Sequence, residues 1–217
     1  MVAKFIKPRK RPVMMTDLLA VGEGAEKGRI YDRAAKLAAR GSKARIVIVD
    51  LKTPEYRPPQ NLAFVSMDII KFLEGAPFNS VKKVEDKYFF SNAMWGKHGA
   101  SEERTKAAIH ELEKLQTLSK FGAVHIDPKK LPPLKKGIDK YLKLVRRALV
   151  PGGRFVIMTS SDAVTLYMKQ LECAGFKIAN SRTLTREQIM KSGSEQAIYE
   201  LEKHNTLASI ITAIKPK

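Results

Sequence analysis

Short apolar runs alternate with amphipathic stretches along most of the chain. Residues 13–21 end in Leu18-Leu19-Ala20-Val21 and predict a first strand. A helix is predicted over 28–40, because Ile30, Ala34, Leu37 and Ala38 share one face and Gly41 stops the pattern. Arg45-Ile46-Val47-Ile48-Val49-Asp50 is a continuous apolar run closed by an acid, the pattern of a strand buried on both faces of a parallel sheet. Pro54, Pro58 and Pro59 mark a loop, residues 62–65 a third strand, and a helical turn runs from Asp68 to Leu73. Residues 87–92 are the preferred fourth strand, with 122–127 as the alternative, and 101–119 reads as an amphipathic helix. A second amphipathic helix is predicted over 134–149 from the stripe Leu134, Ile138, Tyr141, Leu142, Val145 and Leu149. Pro151-Gly152-Gly153 breaks it ahead of a buried strand at 154–159. A helix at 162–174 closed by Gly175, a strand at 176–179, one charged helix over 185–203 and a last strand over 207–214 complete the pattern.

Strands and helices that alternate with short links predict a doubly wound, mostly parallel α/β sheet. The last two strands, separated by a helix, suit a closing hairpin at one edge. No repeat or low-complexity segment interrupts the pattern, so the expected organisation is a basic arm over 1–12 and a single domain over 13–217.

In such a sheet, ligands bind beyond the C-terminal strand ends, where the strand order reverses. The loop Gly22-Glu23-Gly24-Ala25-Glu26-Lys27-Gly28 follows the first strand, and its glycines let backbone approach a ligand closely. That spacing alone serves nicotinamide and flavin enzymes as well. Asp50, 22 residues past Gly28, ends the second strand, where a carboxylate accepts hydrogen bonds from ribose hydroxyls.

Leu149-Val150-Pro151-Gly152-Gly153-Arg154-Phe155-Val156-Ile157, at the end of an amphipathic helix, resembles the segment entering strand five of class I S-adenosylmethionine (SAM)-dependent methyltransferases. The resemblance covers roughly residues 16–180. It implies a Rossmann-like seven-stranded sheet with a C-terminal antiparallel strand, and SAM as cofactor. Gly22, Glu23, Gly24 and Gly28 would cradle its methionine part, Asp50 would bind the ribose, and Asp68 would lie near the adenine amino group. One departure stands out: the family often has an acid two residues before the first glycine, and here that position is Ala20.

Asn92-Ala93-Met94-Trp95 has the spacing of the amino-methyltransferase motif [D/N]-P-P-[Y/F/W] without its prolines. An amide there can hydrogen-bond a target nitrogen while an aromatic face stacks on an extruded base. Asn92 and Trp95 are therefore the expected catalytic pair, with Asp127 as the alternative should strand four be the later segment. Tyr88 to His98 is also similar to the strand-four region of tRNA (guanine-N7) methyltransferases, without their P-D-P-W-P core, and Thr159-Ser160-Ser161-Asp162 and Ala174-Gly175-Phe176 echo later features of that family. That likeness adds Lys97 and His98 as phosphate-facing candidates.

Charge points to the partner. The chain has 40 Lys and Arg against 22 Asp and Glu, a formal net charge of +18. An excess of this size suits a polyanionic partner, nucleic acid or an anionic membrane face, and beside the methyltransferase resemblance the expected one is RNA. One cluster is the arm, with Lys4, Lys7, Arg9, Lys10 and Arg11; the other runs through Lys129, Lys130, Lys135, Lys136, Lys140, Lys143, Arg146 and Arg147. Arg9, Lys10 and Arg11 are expected on the RNA backbone. The lone Cys173, expected as a small buried residue on a helix, excludes an internal disulfide and a cysteine-based metal cluster. No metal is expected, nor a membrane span, and a reducing, cytoplasmic compartment fits. The reading is thus methyl transfer from SAM to RNA, tRNA or rRNA. Its rivals are a decayed methyltransferase fold that binds RNA without catalysis, a nicotinamide-dependent oxidoreductase, and a methyltransferase of proteins or small molecules.

Overall fold

The computed structural model describes residues 15–21, 29–51, 57–87, 136–192 and 194–217. Its elements, in order, are β1 (Leu18–Val21), α1 (Arg29–Ala39), β2 (Ile46–Asp50), β3 (Leu62–Ser66), α2 (Ile69–Gly75), β4 (Val81–Lys87), α3 (Lys136–Ala148), β5 (Leu149–Ser160), α4 (Val164–Cys173), β6 (Lys177–Thr183), α5 (Arg186–Ser192), α6 (Glu195–His204) and β7 (Ala208–Ile214). The seven strands form one sheet in the order β3-β2-β1-β4-β5-β7-β6. The first five are parallel, and β7 runs antiparallel between β5 and the edge strand β6.

Alternating side chains, buried on both faces, explain the apolar runs of β1 and β2. On one face Leu19, Val21, Val47 and Val49 join α2, α3 and α4 in the main core, with Tyr141, Phe155 and Tyr167 fully buried. On the other face Leu18, Ala20, Ile46 and Ile48 pack against Ile30 and Ala34 of α1. A third cluster gathers Met158, Leu184, Ile189, Ala197 and Ala208 under α5 and α6. Among the described residues no helix is long and apolar enough to cross a membrane.

Four sequence expectations need correction. The place of strand four, between β1 and β5, belongs to residues 81–87 and not to 122–127; of the preferred segment 87–92 only Lys87 lies in β4, and 88–92 fall outside the described residues. Pro151-Gly152-Gly153 does not separate helix from strand. It lies inside β5, where the register against the parallel β4 shifts between the pairs Val81–Leu149 and Lys83–Arg154. The charged segment 185–203 is two helices, because Ser194 caps a new one, accepting from the Ala197 amide at 3.4 Å. Cys173 is exposed, since Leu166, Tyr167 and Leu171 take the inward face of α4.

Candidate functional site

The sheet reverses its order between β1 and β4, so the chain leaves these two neighbours in opposite directions and opens a crevice beyond their C-terminal ends. Val21, the last residue of β1, is in register with Asp86, the penultimate residue of β4. Asp50 ends β2 beside β1 and is half-buried at the rim. The Met67 amide donates to the Asp50 carbonyl at 2.9 Å and the Ser66 hydroxyl to the Leu51 carbonyl at 3.0 Å. These bonds tie the exits of β2 and β3 together, which places Asp50, at the end of β2, and Asp68, two residues past β3, at the same end of the sheet.

Asp68 has a local structural role. Its Oδ1 accepts from the amides of Ile70 at 3.0 Å and Lys71 at 3.1 Å, making it the N-cap of α2. Ala20 is fully buried against α1. Gly22, Glu23, Gly24, Gly28, Asn92, Trp95, Lys97, His98, Asp127, Arg9, Lys10 and Arg11 lie outside the described residues. Of the predicted site residues, the described structure therefore brings together Asp50 and Asp68.

Sequence reasoning missed the polar character of β4. Glu85, in register with Ala20, pairs with Arg33 of α1 at 3.5 Å and with Lys83. On the opposite face Asp86, 1% exposed, accepts a 2.7 Å hydrogen bond from the hydroxyl of Tyr141, itself fully buried. Burial, and then the neighbouring Asp86 carboxylate, push the Tyr141 phenol well above its usual pKa range, so it stays a neutral donor. The Tyr141 ring stands edge-on to Phe155 at 6.2 Å. The one available signal was Tyr141 in a predicted apolar stripe, since Asp86 lies just before the segment expected as strand four.

Three cations of the second basic cluster meet groups of the fold itself. Lys140 pairs with Glu74 of α2, and Lys143 with Asp139 one helical turn away at 2.5 Å. Arg147 donates to the carbonyls of Leu73 at 2.5 Å and Glu74 at 2.9 Å, at the C-terminal end of α2, and lies over the Phe78 ring at 5.1 Å. A cavity of about 390 Å³ runs beside α2, lined by Thr16, Phe72, Pro77, Ser80 and Val81 among others, toward the entries of β1 and β4 rather than their exits.

No protein-family model matches the sequence, and comparison with curated proteins gave no match. Solved structures do match. The cyclase SpnF is similar with a TM-score of 0.53 at 15% identity, over 94% of this chain and 75% of that one. A chain of the complex between a Haloferax volcanii methyltransferase activator and a methyltransferase matches with a TM-score of 0.52 at 16% identity, over 95% and 85%. An antibiotic-related methyltransferase matches with a TM-score of 0.52 at 14% identity, over 93% and 89%. The chain has the class I SAM-dependent methyltransferase fold. At these identities the likeness is one of fold. The antiparallel β7 also separates this sheet from the parallel 3-2-1-4-5-6 order of dinucleotide-binding domains.

Proposed function

We propose that the protein is a SAM-dependent methyltransferase that acts on RNA. The observation that carries the cofactor reading is Asp50, half-buried at the end of β2, beside the β1–β4 crevice of a methyltransferase sheet. A carboxylate there accepts two hydroxyls, which fits a ribose; the glycine loop after β1 supplies close backbone approach, and Asp68 stands at the next strand exit. The antiparallel β7 counts against the nicotinamide reading.

Bound SAM supplies a methyl group already activated by its sulfonium. The protein's work is then binding and alignment, with little acid–base machinery. In this reading Asp50 fixes the ribose, Asn92 orients the target nitrogen or oxygen, and Trp95 stacks on the base. Lys97, His98 and the arm residues Arg9, Lys10 and Arg11 hold phosphates. The net charge of +18 supports RNA over an uncharged substrate.

Calorimetry with SAM, S-adenosylhomocysteine (SAH) and NAD tests the cofactor, and radiolabelled methyl transfer to bulk tRNA and rRNA tests the reaction. SAM and SAH binding with label in RNA is the expected result. Tight NAD binding without a response to SAM would sink the proposal. A second reading, a decayed fold that binds RNA without catalysis, is favoured by one feature, the buried apolar Ala20 before the glycine loop. RNA binding with no label in any RNA would select it.

Asp50→Ala provides a residue-level check. Loss of a charge-assisted hydrogen bond of roughly 1.5–3 kcal/mol predicts SAH binding weaker by about 10- to 100-fold. Circular dichroism of the ligand-free variant checks that the fold survives the substitution. Unchanged SAH affinity would remove Asp50 from the site.

A further inference from the structure

We infer that Tyr141 is a positioning residue for the crevice, its hydroxyl holding Asp86 and thereby the exit of β4 against the exit of β1. The inference rests on the SAM-site reading above. Asp86 is in register with Val21, directly before the glycine loop, and with Ile157 of β5 on its other side. At 1% exposure its carboxylate faces the interior, so it acts on the crevice through the backbone.

Two apolar side chains would fill this place at less desolvation cost. A phenol–carboxylate bond adds direction: it fixes the height and rotation of the last β4 residues relative to α3. The helix is a firm reference. Ile138, Leu142 and Val145 are buried around Tyr141, Phe155 braces its ring, and Arg147 ties the same helix to α2. The path therefore runs from a packed helix, through one hydrogen bond, to the point where the sheet reverses.

The test is SAH binding by calorimetry on the full chain, with circular dichroism and melting temperature alongside. Tyr141→Phe keeps the ring and removes the hydroxyl; its expected SAH affinity is about fivefold weaker or more. Asp86→Asn keeps an acceptor for the hydroxyl and is expected within about twofold of the wild type. The double variant Tyr141→Phe with Asp86→Leu replaces the pair by apolar groups. It should regain thermal stability over Tyr141→Phe alone without regaining SAH affinity. Recovery of affinity together with stability would show a merely structural pair and overturn the inference. So would a Tyr141→Phe protein that binds SAH like the wild type, or an Asp86→Asn protein as weak as Tyr141→Phe. A wild type that binds no SAH would overturn the SAM-site reading as well, and that result is distinct from the others.

Discussion

At position 153 a Cβ would stand 2.8 Å from the Val150 carbonyl oxygen and 3.1 Å from that of Lys82, both backbone atoms that cannot swing away. At position 152 there is open space, but φ is +76°, a conformation L-residues rarely adopt. The two glycines of the Pro-Gly-Gly segment thus serve different ends, one room and one backbone freedom. Gly153→Ala is expected to destabilise by roughly 1–3 kcal/mol through displaced backbone, and Gly152→Ala by about 1 kcal/mol through strain. Urea unfolding of both variants checks the ranking; a Gly152 variant that loses more than the Gly153 variant would reverse it. Asp17 gives a pH-dependent counterpart. Its carboxylate is held below the usual range first by the hydrogen bond from Lys82, at 2.7 Å, and also by the Arg45 amide at 2.8 Å, against partial burial. With a folded pKa below the ordinary value of about 3.9, its contribution is full above that value and is lost as pH falls through the folded pKa. The pair is partly exposed, so Asp17→Asn should cost about 1 kcal/mol or less at neutral pH, and the gap should close as pH falls through the folded pKa. A gap that persists in acid would exclude the ionic origin.

Elements were legible in proportion to how far burial governs them. β1, β2 and β5 lie inside the sheet, and their apolar runs announced them. β4 is equally central, yet five of its seven residues are charged, so a search for apolar runs passes over it to Tyr88-Phe89-Phe90. It tolerates those charges because partners pair with or hydrogen-bond them: Asp17 meets Lys82, Arg33 joins Glu85 with Lys83, and the Tyr141 hydroxyl donates to Asp86. Those partners lie 52 to 65 positions away along the chain, apart from Lys83, and are hence invisible to periodicity. Asp50 was legible for the opposite reason, since a strand end followed by an acid is a local pattern. The basic face of α3 shows the same limit, because the sequence counts its charges without showing what they meet. Arg147→Ala should therefore act on stability, by roughly 2 kcal/mol, as the α2 carbonyls of Leu73 and Glu74 lose their donor. RNA affinity should stay unchanged, as measured by filter binding under conditions where the variant is fully folded.

For the whole molecule, a net charge of +18 is informative only after the internally engaged cations are set aside. Lys140, Lys143 and Arg147 already face Glu74, Asp139 and the α2 carbonyls, so α3 offers less to a phosphate backbone than its composition suggests. The arm over 1–12 is different in kind: it carries five cations and no acid. If these contact RNA, each phosphate neutralised releases counterions, and the slope of log affinity against log salt changes by about 0.7 per contact on a single strand. Deletion of residues 1–12 should then make the slope shallower by about three units and weaken RNA binding at low salt by well over tenfold. SAH affinity should stay within about twofold, because the crevice lies beyond the exits of β1 and β4 and its carboxylates come from later strands. Replacing Lys140 and Lys143 with alanine should leave the slope near its original value. The two experiments separate field from contact: a general attraction to +18 would respond in proportion to the charge removed, five cations against two, whereas a binding arm responds to its own deletion alone.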